Sequence, residues 1–398
     1  MDLRIGPPVS GGNFYKRPAL LRKMLRSLER GNVAFLGPRR TGKTSCLEEI
    51  KAAPGSFVPI LLNLEKRDSV EAWLGDMLAA LRRTLEQPES VRSLAEAKVA
   101  KLLSGISKIE VSGFGGVEFA GTEKAEAWRK PADEFLRLLV ASDVPVLFLL
   151  DEFPTFLKLV ARKRSRDEVE AVLNWFRSAR SELKEKRVRF LVTGSIGLKG
   201  VVRSLGLAPS VNEFDTLEIP PLGEAEALGL LETLAKDNRI PLDLRGRRKI
   251  LALLGANWPI LLQLFLAEIE EGEFARPPTA AQLEKIYRER LVHGSRNQYC
   301  DGMFDRLKDV FSATELLLAR GILKAVCRTT DGLSRAEFEA IHARLAPGLV
   351  DHASATDELD HVLETLKHDG YLLQESGGAQ LTRFGSSILR DFWLRKTS

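Results

Sequence analysis

The sequence predicts an α/β protein with a parallel sheet, followed by a helical region and a small C-terminal domain. In the first half of the chain, short apolar runs alternate with helical patterns, which is typical of a parallel sheet covered by helices. After Pro220 the strand pattern fades and helical patterns continue. The chain has 398 residues, of which 44% are hydrophobic and 28% charged, so two or three globular domains are expected.

The predicted strands are short apolar runs, as expected of strands that are buried on both faces of a sheet. They lie at 33–36, 58–64, 146–150, 189–193 and 217–219. Between the second and the third run, residues 106–121 alternate apolar and polar side chains around a glycine-rich centre. This pattern predicts a β-hairpin inserted into the alternating unit.

Three helical patterns follow the predicted sheet and indicate a helical lid over residues 221–275. They lie at 224–237, 244–254 and 259–271. The next stretch, 287–302, is basic and polar, and it indicates a connector that we assign to residues 276–310.

The last segment, 311–398, predicts three helices and then two short strands around Gly377 and Gly378. This order of elements is that of a winged helix. The predicted organisation is therefore an N-terminal segment (1–28), an α/β core (29–220), the lid, the connector and a winged-helix domain.

The most informative stretch is GPRRTGKT, which begins at Gly37, directly after the first predicted strand. It matches the phosphate-binding pattern G-x-x-x-x-G-K-[ST], and a predicted helix follows it, as the pattern requires. Backbone N–H groups of such a loop and the positive N-terminus of the helix bind phosphate oxygens. The alternative, a glycine-rich surface turn, fits the flanking strand and helix less well. The candidate nucleotide-binding residues are Gly37, Pro38, Arg39, Arg40, Thr41, Gly42, Lys43, Thr44 and Ser45.

Two side chains of this loop and two acids further along have expected roles in phosphate chemistry. Lys43 is expected to reach the β- and γ-phosphates of a nucleotide, and the Thr44 hydroxyl to bind Mg²⁺. A second motif, VPVLFLLDEFPTF, ends a predicted strand with two acids. Asp151 is expected to hold Mg²⁺, directly or through water. Glu152 is expected to orient and deprotonate the attacking water.

The next predicted strand ends in the sequence RFLVTGSIG, which contributes Thr193 and Ser195. A hydroxyl at this position can donate a hydrogen bond to the γ-phosphate or to the attacking water. The alternative for each residue is a polar turn between a strand and a loop.

The motifs FLGPRRTGKTS, LLDEFPTF, FLVTGSIGL and GANWPILLQLF, in this order, resemble the archaeal-type AAA/STAND-like P-loop ATPases. The first two motifs correspond to Walker A and Walker B. Members of this family combine a P-loop core, a helical lid and a C-terminal winged helix, and they are related to origin-recognition initiators. The resemblance implies an Mg²⁺-dependent ATPase with ATP and Mg²⁺ as cofactors.

The resemblance also implies residues near the adenine. Pro259 corresponds to a lid proline close to the nucleotide, and Phe14 and Tyr15 correspond to a segment that lies along the base. The family pattern there ends in Gly-Arg-Glu, whereas this chain has Lys16-Arg17-Pro18.

Relatives often carry a sensor arginine in the lid, and none is evident near Pro259. The arginines nearest to it in the sequence are Arg245, Arg247 and Arg248. An arginine from a second subunit can take this role, which predicts a homo-oligomer in the ATP state. The basic stretch 159–167 offers Arg162, Arg164 and Arg166 for it, and a solvated basic loop is the alternative.

The net charge of +5 is unevenly distributed. From residue 311 to the end there are 10 Lys and Arg against 12 Asp and Glu, so the basic excess lies before it. Double-stranded DNA is one candidate partner, bound along the basic stretches 159–167, 184–189 and 245–249. The alternative is a nucleotide-gated switch that docks a partner protein on the winged helix. A metabolic kinase is disfavoured, because the sequence offers no acceptor-site pattern.

The compartment is expected to be the cytoplasm. The three cysteines, Cys46, Cys300 and Cys327, lie far apart, as in proteins of reducing compartments. The N-terminus has no apolar signal region, and no apolar run is long enough to span a bilayer, so no membrane association is expected.

Overall fold

The computed structural model describes residues 1–6, 8–87, 94–109, 127–183, 186–194, 197–207, 214–294, 298–345, 352–374 and 381–397. The chain divides into two compact units, each with its own hydrophobic core. The first, which we call the sheet unit, comprises Lys16–Leu36 and Lys43–Ile219. The second, the helical unit, comprises Met1–Tyr15, Gly37–Gly42 and Pro220–Ser398.

Five parallel strands form the sheet of the described part of the sheet unit. They are β1 (Val33–Leu36), β2 (Val58–Asn63), β3 (Val146–Asp151), β4 (Val188–Thr193) and β5 (Asp215–Glu218). Their order across the sheet is β2-β3-β4-β1-β5. Every residue of β1 and β3 is buried, which explains why both strands are uninterrupted apolar runs. The predicted α/β class is confirmed, and each predicted strand is present to within two residues.

The helices of the sheet unit connect these strands. They are α1 (Pro18–Arg30), α2 (Lys43–Ala52), α3 (Val70–Leu85), α4 (Glu96–Ile109), α5 (Arg129–Ser142), α6 (Phe153–Lys163), α7 (Arg166–Glu182) and α8 (Leu198–Ser204). An aromatic cluster joins them to the sheet. The ring of Trp73 in α3 lies 5.4 Å from Phe156 and 5.7 Å from Phe176, and Phe176 lies 4.8 Å from Phe190 of β4. Such contacts fix α3, α6 and α7 against the sheet.

The helical unit begins with the three helices predicted for the lid. They are α9 (Glu224–Asp237), α10 (Leu244–Leu254) and α11 (Pro259–Glu270). α12 (Ala280–Lys285) follows and continues as a π-helix over Ile286–Val292, and α13 spans Gln298–Val310. The described part of the stretch 287–302 is therefore mostly helical, and its role as a connector remains a prediction. Tyr287, Leu291 and Val292 are buried in the core of this unit, which stabilises the helix despite its basic composition.

The C-terminal segment has the element order that the sequence predicts. It consists of α14 (Ala313–Val326), α15 (Arg335–Leu345), α16 (His352–His368), β6 (Leu372–Gln374), β7 (Thr382–Phe384) and α17 (Ser387–Thr397). β6 and β7 pair in antiparallel orientation, and an isolated bridge joins Leu333 to Thr382. The turn around Gly377 and Gly378 lies outside the described residues. The boundaries of the lid, connector and winged-helix domain remain predictions.

Two further local predictions need correction. Residues 106–109, the predicted start of the inserted hairpin, belong to α4, because Ile106 and Ile109 face the core at helical spacing. The rest of that hairpin lies outside the described residues. The basic stretch 159–167 is not a loop. It comprises the end of α6, a turn formed by Arg164 and Ser165, and the start of α7. None of the helices in the described ranges combines the length and apolar character needed to cross a membrane.

Candidate functional site

The strand order brings the polar strand ends of the sheet unit together. β4 lies between β1 and β3, and all three strands are parallel. Their carboxyl ends therefore meet at one edge, which is where ligands bind in open α/β sheets. Asp151 ends β3 and Thr193 ends β4, so two of the predicted site residues are neighbours across the sheet.

Directly after β1, the backbone of the phosphate-loop sequence adopts positive φ angles that favour glycine. Gly37 has φ +148° and Gly42 has φ +94°, both in the region that favours glycine. The backbone of Arg40 is also left-handed, at φ +61°, although Arg40 is not a glycine. The Thr41 hydroxyl donates a hydrogen bond of 2.8 Å to the carbonyl of Pro38, which tightens the turn before α2 begins at Lys43.

In the helical unit, the Pro38 ring lies against the turn that follows α16. Gly370 has φ +81° there, and a Cβ added to it would lie 2.5 Å from the Cγ of Pro38. A side chain at position 370 is thus excluded twice, by the backbone conformation and by the proline ring.

The sheet unit joins Thr44 directly to Asp151. The Thr44 hydroxyl donates a hydrogen bond of 2.6 Å to Oδ2 of Asp151, and the Thr193 hydroxyl donates one of 3.1 Å to Oδ1. Asp151 is only 2% exposed. Burial raises the pKa of Asp151, and the charge of Glu152 adds to this effect. The two hydroxyl hydrogen bonds and the nearby Lys43 oppose it.

Glu152 is held in an unusual conformation at the start of α6. Its backbone is left-handed, with φ +58°, at the residue that caps the helix. One carboxylate oxygen, Oε2, accepts a hydrogen bond of 2.8 Å from the Thr155 hydroxyl. Non-glycine residues in this conformation cost about 1–3 kcal/mol and occur preferentially at functional sites. Thr155 was not predicted as a site residue, although its spacing of three residues from Glu152 in the motif DEFPT was a usable signal.

Two other residues of the loop-and-helix junction are buried. Lys43 is 6% exposed and Ser45 is 3% exposed, both at the first turn of α2. The next residue, Cys46, is buried as well, and burial raises the pKa of its thiol to about 12. Cys46 therefore remains a neutral thiol at physiological pH and serves as part of the core.

The residues predicted to lie along the adenine have local roles in the helical unit. Phe14 is buried, and the Tyr15 hydroxyl lies so close to Gly229 of α9 that a Cβ there would approach it to 2.6 Å. Burial and then the charge of Glu226 raise the pKa of Tyr15. Pro259 is the first residue of α11, where its missing N–H is not needed. Their contact with a nucleotide remains a prediction.

The departure from the family pattern at 16–18 also has a local reason. Pro18 is the first residue of α1, a position that favours proline. The preceding Arg17 is buried. The sequence Lys16-Arg17-Pro18 thus starts the helix that leads into β1.

The candidate arginines differ in their surroundings. Arg247 lies 2.7 Å from Glu232 and donates to the carbonyl of Leu228, so it is engaged within the helical unit. The others are exposed, namely Arg245, Arg248, Arg162, Arg164 and Arg166. Among the described residues of the sheet unit, no hydrogen bond or ion pair joins Arg162, Arg164 or Arg166 to Asp151 or Glu152. Ser195, the second hydroxyl predicted for the β4 end, lies outside the described residues.

No protein-family model matches the chain, and no curated protein matches it. Two solved structures of archaeal proteins resemble it over nearly their full length. The Walker-type ATPase PABY2304 of Pyrococcus abyssi aligns with a TM-score of 0.56 and 16% identity, covering 99% of each chain. The ORC2 protein of Aeropyrum pernix, in ADPNP–ADP complexes, aligns with a TM-score of 0.52 and 15% identity, covering 97% of this chain and 94% of its own.

These likenesses agree with the resemblance predicted from the four motifs. They extend over both units, from the phosphate-loop sequence to the C-terminal helices. Because the sequence identities are only 16% and 15%, the comparison establishes the fold alone. The chain has the fold of the archaeal Walker-type and origin-recognition P-loop ATPases.

Proposed function

We propose that this chain binds ATP and hydrolyses it with the help of Mg²⁺. The observation that carries the proposal is the Thr44–Asp151 pair, a hydroxyl and a carboxylate 2.6 Å apart at the carboxyl edge of a parallel sheet. Thr44 is the last residue of a complete phosphate-loop sequence. A surface turn that happened to match the pattern would have no reason to join a buried acid two strands away.

The donor atoms of this pair suit Mg²⁺, which prefers oxygen ligands. Thr44 Oγ1 and the Asp151 carboxylate would hold the ion, which would neutralise charge on the phosphates when bound. Thr193 supports this arrangement, because its hydroxyl already donates to the other oxygen of Asp151. Ser195 remains a candidate for contact with the γ-phosphate or the attacking water.

The remaining residues would bind the phosphates and prepare the water. Backbone N–H groups from Gly37 onward and the N-terminus of α2 would bind phosphate oxygens, with the Lys43 ammonium contributing a full charge. The carboxylate of Glu152 would accept a proton from the attacking water. The hydrogen bond from Thr155 restricts where that carboxylate points.

Steady-state ATP hydrolysis by the purified protein tests this proposal. Lys43→Ala is expected to lose nucleotide binding, because the loop loses its ammonium group. Glu152→Gln is expected to keep binding and to lose hydrolysis, so that the ATP state accumulates. Hydrolysis by Glu152→Gln at the parent rate would show that the base is wrongly assigned, and a parent protein without ATP binding would refute the proposal.

We further propose that the ATPase assembles into a homo-oligomer in the ATP state and associates with double-stranded DNA. The basic excess before residue 311 supports DNA association. Hydrolysis measured with and without duplex DNA at low salt tests it. A several-fold stimulation that salt abolishes is expected. A hydrolysis rate that DNA does not change would favour the alternative, a switch that docks a partner protein on the C-terminal segment. We propose a cytoplasmic location for either function.

A further inference from the structure

We infer that the exposed face of α1 is a binding surface for the phosphate backbone of double-stranded DNA. We define this α1 face by four exposed residues, Arg22, Lys23, Arg26 and Arg30. They follow one another at helical spacing and fall within an arc of about 100° around the helix. The opposite side of α1 is apolar and buried, so the helix is firmly seated in the sheet unit.

The α1 face has no acidic partners among the described residues. Arg26 donates only to the carbonyl of Arg22, at 3.4 Å, and Arg30 donates only to the Ser27 hydroxyl, at 3.4 Å. Several other solvent-accessible bases, in contrast, are paired with carboxylates within 4 Å. Examples are Arg82, Lys98, Lys285 and Lys308. The four bases of α1 thus repel one another, and a polyanion would relieve that repulsion.

The single acid at the edge of the α1 face is already engaged. Glu29 lies 3.7 Å from Arg187 and accepts a hydrogen bond of 3.0 Å from Ser56. Arg187 thus compensates the charge of Glu29 at the end of α1. The neighbouring Arg189 points inward and donates to the carbonyl of Leu28 at 3.0 Å, which anchors this end of the helix.

The geometry of the α1 face fits a nucleic-acid backbone. Arg22 and Arg30 are eight residues apart, which corresponds to about 12 Å along a helix. One strand of duplex DNA presents a phosphate every 3.4 Å or so along the helix axis, so this length matches about three to four phosphates. Three of the four bases are arginines, whose forked donors suit phosphate oxygens.

The same face argues against other partners. α1 contains no aromatic residue, so it offers no platform for stacking the bases of a single strand. Its leucine and methionine side chains are buried or half-buried, and none of them is exposed for insertion into a bilayer. A docked protein would need an exposed apolar centre, and the α1 face has none.

The test compares two variants of the full chain that lose the same charge. The first replaces Arg22, Lys23, Arg26 and Arg30 with Gln, a good helix former. The matched control replaces Arg82, Lys98, Lys285 and Lys308 with Gln. Fluorescence anisotropy with a labelled 30-bp duplex, without nucleotide, gives the affinity at several salt concentrations, and circular dichroism shows that each variant is folded.

The α1 variant is expected to bind the duplex at least about tenfold more weakly at 50 mM salt. The slope of log affinity against log salt is expected to fall by roughly 3 to 4, because four phosphate contacts are lost. The control is expected to bind as the parent does. Equal losses in both variants, parent-like binding by the α1 variant, or no binding by the parent would each overturn the inference.

A poly-glutamate probe in the same assay separates DNA from an acidic protein. If the parent prefers poly-glutamate to the duplex through the α1 face, the partner is an acidic polypeptide and the inference is overturned. ATP hydrolysis without DNA is expected to be unchanged in the α1 variant, because none of its residues contributes to the proposed ATP site. Failure of DNA binding is therefore distinguishable from failure of the proposed ATPase.

Discussion

Three hydroxyl side chains organise the two acids of the site. Thr44 and Thr193 donate to Asp151, and Thr155 donates to Glu152. The acids themselves follow from the sequence, because a buried apolar strand that ends in Asp-Glu after a phosphate loop is typical of a nucleotide-hydrolysing site. The hydrogen bonds of Thr44 and Thr193 to Asp151 do not follow, because the three residues come from different elements and their meeting depends on the strand order.

Asp151→Asn is expected to stabilise the ligand-free protein and to abolish Mg²⁺-dependent hydrolysis. Burial raises the pKa of Asp151 above its ordinary value of 3.8, so the ionised form costs folding free energy at neutral pH. Asn has nearly the same shape and carries no charge. Thermal unfolding at pH 7 without nucleotide measures the effect as an increase in melting temperature.

The gain from Asp151→Asn has a definite pH dependence. Below the ordinary carboxyl pKa, Asp151 is protonated in both the folded and the unfolded chain, so parent and variant are expected to melt alike. The advantage of the variant is expected to emerge as the pH rises through the raised pKa of the folded state. A variant less stable than the parent at pH 7 would show that the Thr44 and Thr193 hydrogen bonds outweigh the burial of the charge.

Thr155→Val is expected to lower kcat by about tenfold, because the Glu152 carboxylate loses the hydroxyl that restricts its position. The KM for ATP is expected to stay the same, since Thr155 is not among the predicted nucleotide contacts. Steady-state kinetics measures both constants. Thr155→Ser keeps the hydroxyl and is expected to retain most of the parent rate. Equal losses in the two variants would indicate a packing role for the threonine methyl group.

At the scale of elements, the predictions succeeded where a segment has one pattern and failed where two patterns overlap. β1 and β3 are apolar throughout and short, as buried strands are. Residues 106–109 fit both an alternating strand and a helix, and the helix forms because it continues from Glu96. The π-helix at Ile286–Val292 was not predicted, because its three exposed residues, Arg288, Glu289 and Arg290, make the stretch polar although the other four residues are buried.

The turn between α6 and α7 depends on a helix cap. The Ser165 hydroxyl accepts a hydrogen bond of 3.0 Å from the N–H of Glu168 and so satisfies the first turn of α7. Ser165→Ala is expected to destabilise the sheet unit by about 1 kcal/mol. Chemical denaturation followed by tryptophan fluorescence measures the change, because Trp175 lies in α7. Ser165→Asp restores a capping acceptor and is expected to recover the loss, and a deficit equal to that of alanine would contradict the role of the cap.

At the scale of the whole molecule, the α/β class and the order of elements after the sheet could be predicted from the sequence. The strand order could not, because periodicity shows that a strand is buried and does not show its neighbours. The placement of β4 between β1 and β3 is what makes Thr193 a partner of Asp151. No sequence pattern indicated that Gly37–Gly42 groups with the C-terminal half of the chain.

An arginine supplied by a second subunit predicts complementation between inactive variants. Combined Arg162→Ala, Arg164→Ala and Arg166→Ala is expected to slow hydrolysis by roughly 10³-fold, as loss of such an arginine does elsewhere. Mixing this variant with Lys43→Ala is expected to restore part of the activity, because each protein supplies what the other lacks. ATP hydrolysis of the mixture at increasing protein concentration measures it.

The control for that experiment is a mixture of Lys43→Ala with Glu152→Gln. Both defects affect the same subunit's own site, so this mixture is expected to stay inactive at every ratio. A triple arginine variant that hydrolyses ATP at the parent rate would show that none of these three residues serves a neighbouring site.

The contact between Pro38 and Gly370 links two positions that are more than 300 residues apart in the chain. A Cβ at position 370 would strike the proline ring, and the left-handed backbone at φ +81° would strain it even if position 38 were smaller. In evolution glycine is therefore expected to be retained at 370 whatever residue stands at 38. The C-terminal turn thereby becomes part of the selective constraint on the phosphate loop.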